Sequence, residues 1–358
     1  MKIDPKKPCN NLPLLPPPEE LTESRTIWQA EAAARQALAE LKGYAQIMPN
    51  QEILINAVVI QEAKDSSGIE NIITTQDSLY RALAVDSGTV DAHTKEVVNY
   101  REAVFEGARS IKKKHILTVN DIAQLQSIIV GNDAGIRKLP GTALANDATG
   151  KVIYTPPDNS NTIRHLMENL AEYLNEKESS LVRMAVAHYQ FEAIHPFYDG
   201  NGRAGRIVNV LYLILKEYLE IPILYLSSYI IRNKGDYYRL LRNVTFKNDW
   251  QGWILFMLKG VEETSLDTIG RIKRITALLN ETIDTVRTRA RSIYSKELVE
   301  LLFEEPYCKA AFIERKVGVE RKAAARYLKT LEDLGILAKK KIGRENIYIN
   351  IELMKVLI

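Results

Sequence analysis

The sequence predicts a mainly α-helical protein with one internal β-hairpin and a small C-terminal unit of helices and a hairpin. Long stretches rich in Ala, Leu, Glu and Gln carry apolar residues at three- and four-residue spacing, the period of a helix with one buried face. Short strand-type runs around turn residues occur only near residues 142–154 and 338–350, so sheet is a minor component.

Pro5, Pro8, Pro13 and Pro16 to Pro18 remove backbone donors, and the first twenty residues read as an extended arm over the surface. Helical pattern runs from Glu23 to Ala45 and from Gln51 to Lys64. A break is expected at Asp65-Ser66-Ser67-Gly68, then a helix through Leu83, a polar connector from Val85 to Thr89, and a helix from His93 to Ser110. Glycines and prolines scattered from Ser127 to Asn159 argue against a long helix there. Thr142-Ala143-Leu144 and Val152-Ile153-Tyr154, flanking the turn formers Asn146, Asp147 and Gly150, predict a hairpin. Helix resumes at Thr162 and dominates to about residue 294.

Beyond that point Ser295–Glu304, Ala310–Lys316 and Arg321–Leu334 read as three helices, followed by a basic hairpin through Lys339, Lys340, Lys341 and Arg344 and a strand at Asn346–Asn350. That order resembles a winged helix-turn-helix. The expected domains are 1–92, 93–293 and 294–358.

At 358 residues the chain can bury a large core, and Cys9 and Cys308 are too few for a disulfide framework or a four-cysteine zinc site. A reducing compartment, the cytoplasm, is expected. The most apolar region, Ile207 to Ile231, is interrupted by Lys216, Glu217 and Glu220, so no membrane span is expected, and the N-terminus does not read as a secretory signal. A formal charge of +3 gives no whole-molecule attraction to nucleic acid.

Residues 195–206, His-Pro-Phe-Tyr-Asp-Gly-Asn-Gly-Arg-Ala-Gly-Arg, carry the chemistry. Pro196 disfavours helix at His195, so the apolar helix from Leu181 to Ile194 should stop there. Gly200, Asn201 and Gly202 then feed a second helix near Arg203, and such a turn presents free N–H groups and a positive dipole end to an anion. Asp199 offers an oxygen to Mg²⁺, a hard ion held by few carboxylates plus phosphates. Arg203 and Arg206 share a helix face and suit phosphate oxygens, and His195 suits removal of a hydroxyl proton. His188, on the buried helix face, reads as a satisfied core histidine, and Phe197 as an anchor of the loop.

This stretch matches, at every fixed position, the His-Pro-Phe-x-Asp-Gly-Asn-Gly-Arg-x-x-Arg signature, and the chain resembles the Fic domain proteins. The resemblance implies a Fic-type helical bundle that transfers AMP from ATP to a Ser, Thr or Tyr hydroxyl of a protein, itself included. It implies His195 as base, Asp199 holding Mg²⁺, and Gly200, Asn201, Gly202, Arg203 and Arg206 on the phosphates. Ser66-Ser67-Gly68-Ile69-Glu70-Asn71 fits the family's inhibitory pattern, in which Ser66 and Glu70 belong to an inhibitory helix and Glu70 pairs with Arg206. Ser67 and Glu70 also have capping-box spacing, so a helix start is the competing reading.

The 142–154 hairpin corresponds to the family's flap, on which a target segment is laid as an added strand. Tyr237 and Tyr238 fall where related proteins contact adenosine, although tyrosines facing the core explain them nearly as well; Trp250 and Trp253 read as core. DNA binding through residues 321–344 is a partner reading for the C-terminal unit, with dimerisation or target docking as alternatives. The rival for the whole chain is a nucleotide-sensing DNA-binding regulator. Variant readings of the same loop are transfer of UMP, phosphocholine or phosphate, and removal of AMP from a modified target.

Overall fold

The structure is a computed structural model describing residues 4–84, 90–145, 149–342 and 345–357. The short α1 (Glu19–Thr22) precedes α2 (Arg25–Gln46), α3 (Gln51–Ile69), α4 (Gln76–Ala84), α5 (Ala92–Lys114) and α6 (Val119–Val130). The hairpin β1 (Leu144–Ala145) and β2 (Val152–Tyr154) follows, then α7 (Ser160–Asn175), α8 (Leu181–Ile194), α9 (Asn201–Leu215), α10 (Leu226–Arg232), α11 (Lys234–Lys247) and α12 (Trp250–Arg289). After a 3-10 turn come α13 (Lys296–Glu304), β3 (Tyr307–Cys308), α14 (Ala310–Val317), α15 (Arg321–Asp333), β4 (Ala338–Ile342), β5 (Glu345–Ile349) and α16 (Ile351–Leu357).

The fold is mainly α, as its periodicity predicts. The Val85–Thr89 connector, the turn formers Asn146 and Asp147, and Arg344 lie outside the described residues.

Helices α8 and α9 form the centre of the bundle and pack on each other, with α5, α6, α7 and α12 around them. Both are buried on nearly every side, which explains why α8 shows a run of apolar residues rather than one clean stripe. Ser180 caps the start of α8 by accepting from Arg183 N at 2.9 Å. Trp253 is buried against α8 and donates from Nε1 to the Ala185 carbonyl at 2.7 Å, and Trp250 is buried beside it. Cys9 and Cys308 are both free and buried.

Two expectations are corrected. The chain does not break at residues 65–68: α3 runs unbroken to Ile69, and the reversal comes at Asn71, which has φ 62°. Gly68 is helical, and a Cβ there would sit 3.1 Å from Ile231 Cδ1, so the glycine answers close packing against α10 rather than a turn. Glu70 therefore stands at the C-terminal end of a helix, and the capping-box reading of Ser67 and Glu70 is wrong, because that motif opens a helix.

The N-terminal arm also departs from a surface path. Cys9, Leu12 and Leu15 are buried, Cys9 N donates to the Thr155 carbonyl at 3.1 Å, and Gln190 on α8 donates to the Pro13 carbonyl at 2.8 Å. The arm is thus a strap across the exit of the hairpin and the side of α8.

The C-terminal residues form an antiparallel sheet of order β3-β5-β4 with the helices around it. Strand β3, at two residues, is too short to show an alternation, and α16 follows closely on β5 at the end of the described residues. This unit sits on the N-terminal helices. The Tyr307 ring stacks on Tyr80 at 5.5 Å, and its hydroxyl donates to Asp77 Oδ1 at 2.7 Å. Asn50, at the start of α3, donates to Glu300 and Glu304 of α13. No helix among the described residues is long and apolar enough to cross a membrane.

Candidate active site

Helix α8 ends at His195 in the left-handed conformation, φ 49° and ψ 60°, its N–H closing on the Phe191 carbonyl at 2.9 Å. A residue with a β-carbon seldom adopts this geometry unless its surroundings impose it. Phe197 is fully buried, and Asn201 holds the loop by donating to the Phe197 carbonyl and accepting from Phe197 N, both at 2.8 Å. The Asn201 side chain is therefore committed to the loop's own backbone.

Helix α9 starts at Asn201 after Gly200, which has φ 76° and provides no capping side chain. The first N–H groups of α9 thus face the loop without a side-chain acceptor from the cap position, the arrangement that receives an anion. The Asp199 carboxylate stands at the mouth with its side chain 72% exposed, 3.4 Å from Arg203 Nη2, and accepts from Gly200 N at 2.6 Å.

Arg203 and Arg206, almost fully buried, project from α9 and are both taken. Arg206 donates from Nε to Ser66 Oγ at 2.7 Å, and from Nη2 to the Ser66 carbonyl at 2.8 Å and to Glu70 Oε1 at 2.7 Å. Arg203 donates from Nε to Glu70 Oε2 at 3.0 Å and from Nη1 to Glu96 Oε2 at 2.5 Å. Glu70 thus bridges both guanidinium groups, where the sequence pattern had paired it with Arg206 alone. Glu96, on α5, has no motif of its own and was not anticipated.

Space for this bridge comes from Gly202, where a Cβ would collide with Glu70 Oε1 and lie 2.9 Å from Arg206 Nη1. Arg206 is held charged: burial opposes this, but Glu70 and the surrounding oxygens push its pKa well above the ordinary value. Burial pushes His195 down to about 4, and the Arg137 guanidinium adds to the effect; Glu70, the Glu192 carbonyl and Asp199 act in the opposite sense. The imidazole is therefore neutral at physiological pH and able to accept a proton.

His188 lies in the core, its ring nitrogens 2.8 Å from Tyr237 Oη, 3.3 Å from the Gly205 carbonyl and 3.1 Å from Asn209 Nδ2. Tyr237 is 1% exposed and packs between Trp253 and Phe256, whereas Tyr238 next to it is half exposed. Of the two tyrosines placed at the adenosine by position, the structure puts one in the core and one at the surface. The hairpin pairs Leu144 with Tyr154 and Ala145 with Val152. Tyr154 is buried and donates to the Ala193 carbonyl at 2.9 Å, and Pro156 is buried as well.

In the C-terminal unit, Arg321, Lys322, Arg326 and Lys329 of α15 and Lys339 to Lys341 of β4 are exposed. Lys329 pairs with Glu332 and Asp333, and Lys340 with Asp77, so part of this charge is compensated.

Two models of one family match consecutive stretches of the chain: the Fic/DOC family N-terminal model over residues 28–109 and the Fic/DOC family model over residues 111–213. This chain belongs to the Fic/DOC family. The second stretch contains the whole loop from His195 to Arg206. Residues 278–353 match a model described as the C-terminal domain of SoFic-like protein adenylyltransferase. Among curated relatives, the Fic proteins named protein adenylyltransferase from Aedes aegypti and Drosophila yakuba are each 28% identical, over 42% and 57% of this chain and 31% and 40% of their own lengths. The chain thus spans less than half the length of these curated relatives. Its fold is like that of a solved Fic family protein from Desulfovibrio desulfuricans, with TM-score 0.56 and 17% identity over 91% of this chain and 96% of that one. It is also like Fic-1 from C. elegans, with TM-score 0.51 and 16% identity over 69% and 73%.

Proposed function

We propose that this Fic protein is a protein adenylyltransferase, moving AMP from ATP to a hydroxyl side chain of a protein, and that Glu70 holds it inactive. The observation that carries the reading is the carboxylate of Glu70 lying across Arg203 and Arg206 at the N-terminal end of α9, beside a neutral His195. Two buried cations at a helix N-terminus match the triphosphate of a nucleotide. While Glu70 occupies them, the γ-phosphate has no guanidinium to orient it, and the α-phosphorus is not placed for in-line attack.

In the released state the hydroxyl oxygen attacks the α-phosphorus, the bond to the β-phosphate oxygen breaks, and pyrophosphate leaves. His195 takes the hydroxyl proton. The α9 N–H groups and Arg203 stabilise the charge that develops on the phosphate oxygens. Asp199 suits a Mg²⁺ carried in with the nucleotide: its carboxylate is exposed beside the anion site, and among the described residues no group of three acidic, histidine or cysteine side chains forms a metal cage. Such an ion, held by Asp199, would offset the negative charge of the phosphates. The strand edge of the 142–154 flap supports a target segment laid along it, main chain to main chain.

The test is intact mass spectrometry of Glu70→Gly protein incubated with Mg²⁺ and a mixture of ATP, UTP, GTP and CDP-choline. The expected outcome is an AMP increment that disappears when His195→Ala is added. A UMP, phosphocholine or phosphate increment reassigns the group transferred. No increment on the protein or on any protein in a lysate defeats the enzyme reading.

A further inference from the structure

Arg137 lies outside the signature loop, in the connection between α6 and β1, and is 0% exposed. A guanidinium at that depth is tolerated only when hydrogen-bonded. Its acceptors are backbone carbonyls from two separate pieces of chain. Nε donates to the His195 carbonyl at 2.8 Å, and Nη2 donates to the Ile194 carbonyl at 3.2 Å and to the Pro157 carbonyl. The Arg137 N–H donates to the Pro196 carbonyl at 2.9 Å. Ile194 ends α8 and His195 caps it, where helix carbonyls lack internal donors and carry the negative end of the dipole, and Pro196 follows directly. Pro157 lies just past β2, at the exit of the hairpin.

We propose that Arg137 is a positioning residue for this reaction: its guanidinium fixes the left-handed backbone of His195 and ties the exit of the flap to the same point. The inference rests on the reading of His195 as the base. A base and a target strand held by one group keep a constant separation, which in-line transfer to a docked hydroxyl requires. Lysine cannot replace this, since one ammonium on a flexible stem does not span three carbonyls in a fixed plane. Burial, and after it the same guanidinium, disfavours the imidazolium, while Glu70, the Glu192 carbonyl and Asp199 favour it.

The experiment compares Arg137→Lys and Arg137→Met in the Glu70→Gly protein, reading steady-state AMP transfer and the NMR titration of the His195 imidazole. Both variants are expected to lower kcat by about tenfold to a hundredfold with the KM for ATP little changed. The His195 midpoint should stay near that of the parent in Arg137→Lys and rise towards the ordinary value of about 6.5 in Arg137→Met. Parental kcat in both variants, or an unmoved midpoint in Arg137→Met, overturns the proposal. Where the variants do not fold, the Arg137 Nε–H resonance of the unaltered protein decides: slow exchange with water supports the clamp, and exchange as fast as that of exposed arginines overturns it. The titration and exchange measurements need no turnover, so an inactive parent would defeat the adenylyltransferase reading without touching the clamp.

Discussion

Glu70 Oε1 lies 2.7 Å from Arg206 Nη2, and its other oxygen lies on Arg203. One side chain at the end of α3 thus closes both cations of a loop more than a hundred residues further along the chain. Ser66, one helical turn before Glu70, adds its hydroxyl and carbonyl to the same arginine.

The two contacts should separate in mutants. Glu70→Gly removes the whole bridge and is expected to raise AMP incorporation by about a hundredfold, as activation by freeing an oriented phosphate contact implies. Ser66→Ala removes one neutral acceptor, leaves the carbonyl and Glu70 in place, and should raise incorporation only by about two- to tenfold. Incorporation from labelled ATP measures both, and equal activation by the two substitutions would show that Glu70 does not dominate.

Glu96 occupies a third nitrogen of the guanidinium that faces the loop. Glu96→Gln keeps the shape and removes the charge, so ATP should bind Arg203 more tightly, by about two- to fivefold for a partly exposed pair. Calorimetric titration with ATP checks this. Unchanged affinity would mean that Arg203 stays with Glu96 when nucleotide is present.

Tyr237 and Tyr238 are adjacent but should behave differently. Tyr237→Phe leaves a buried His188 nitrogen without its 2.8 Å partner and should cost about 1–3 kcal/mol in unfolding free energy, with the KM for ATP unchanged. Tyr238→Ala, at an exposed ring, should raise the KM for ATP and leave the unfolding free energy unchanged. A raised KM in Tyr237→Phe without loss of stability would contradict its place in the core.

The pH dependence of transfer follows His195. Its folded pKa is depressed to about 4, chiefly by burial and then by Arg137, so the neutral base persists well below the ordinary histidine range. Glu70 favours the imidazolium, so removing it cannot move the acid limb upwards. The kcat/KM of Glu70→Gly should stay level from about pH 8 to about pH 5. A limb near 6.5 would show that His195 is more open to water than the structure has it.

Stability should vary with pH through Glu62, which accepts from Tyr100 Oη at 3.1 Å and Ser227 N at 2.9 Å. Burial raises its pKa to about 7 against the hydrogen bonds that favour its charged form. With the folded pKa above the unfolded value, the folded state binds the extra proton between about 4.5 and 7, and stability falls as pH rises through that window. Glu62→Gln lacks this loss, so its Tm relative to the parent should climb from about pH 4.5 to about pH 7 and then level off. A constant difference in Tm across that range would contradict it.

The loop from His195 to Arg206 was legible because its chemistry is contiguous: a helix stop, two glycines and a helix start must follow one another in sequence. The helical body was legible from its periodicity. What escaped notice depends on chain far away. Gly68 looked like a break because a glycine that serves close packing against Ile231 has the same letter as one that turns the chain. Glu96 and Arg137 reach the loop from separate elements, and nothing near them in sequence marks either. Tyr237 kept two readings because position alone does not say which way a helix is turned; only its place between Trp253 and Phe256 does.

The stacking of Tyr80 on Tyr307 has a mechanical meaning. Glu70 sits between two helices, α3 and α4, and each is moored to the C-terminal unit, one through Asn50 and the other through Tyr80 and Asp77. The stretch carrying Glu70 is therefore slung like a hammock between two posts on one wall. Cutting away the C-terminal residues would therefore strip Asn50, Asp77 and Tyr80, on the two helices that flank Glu70, of these partners.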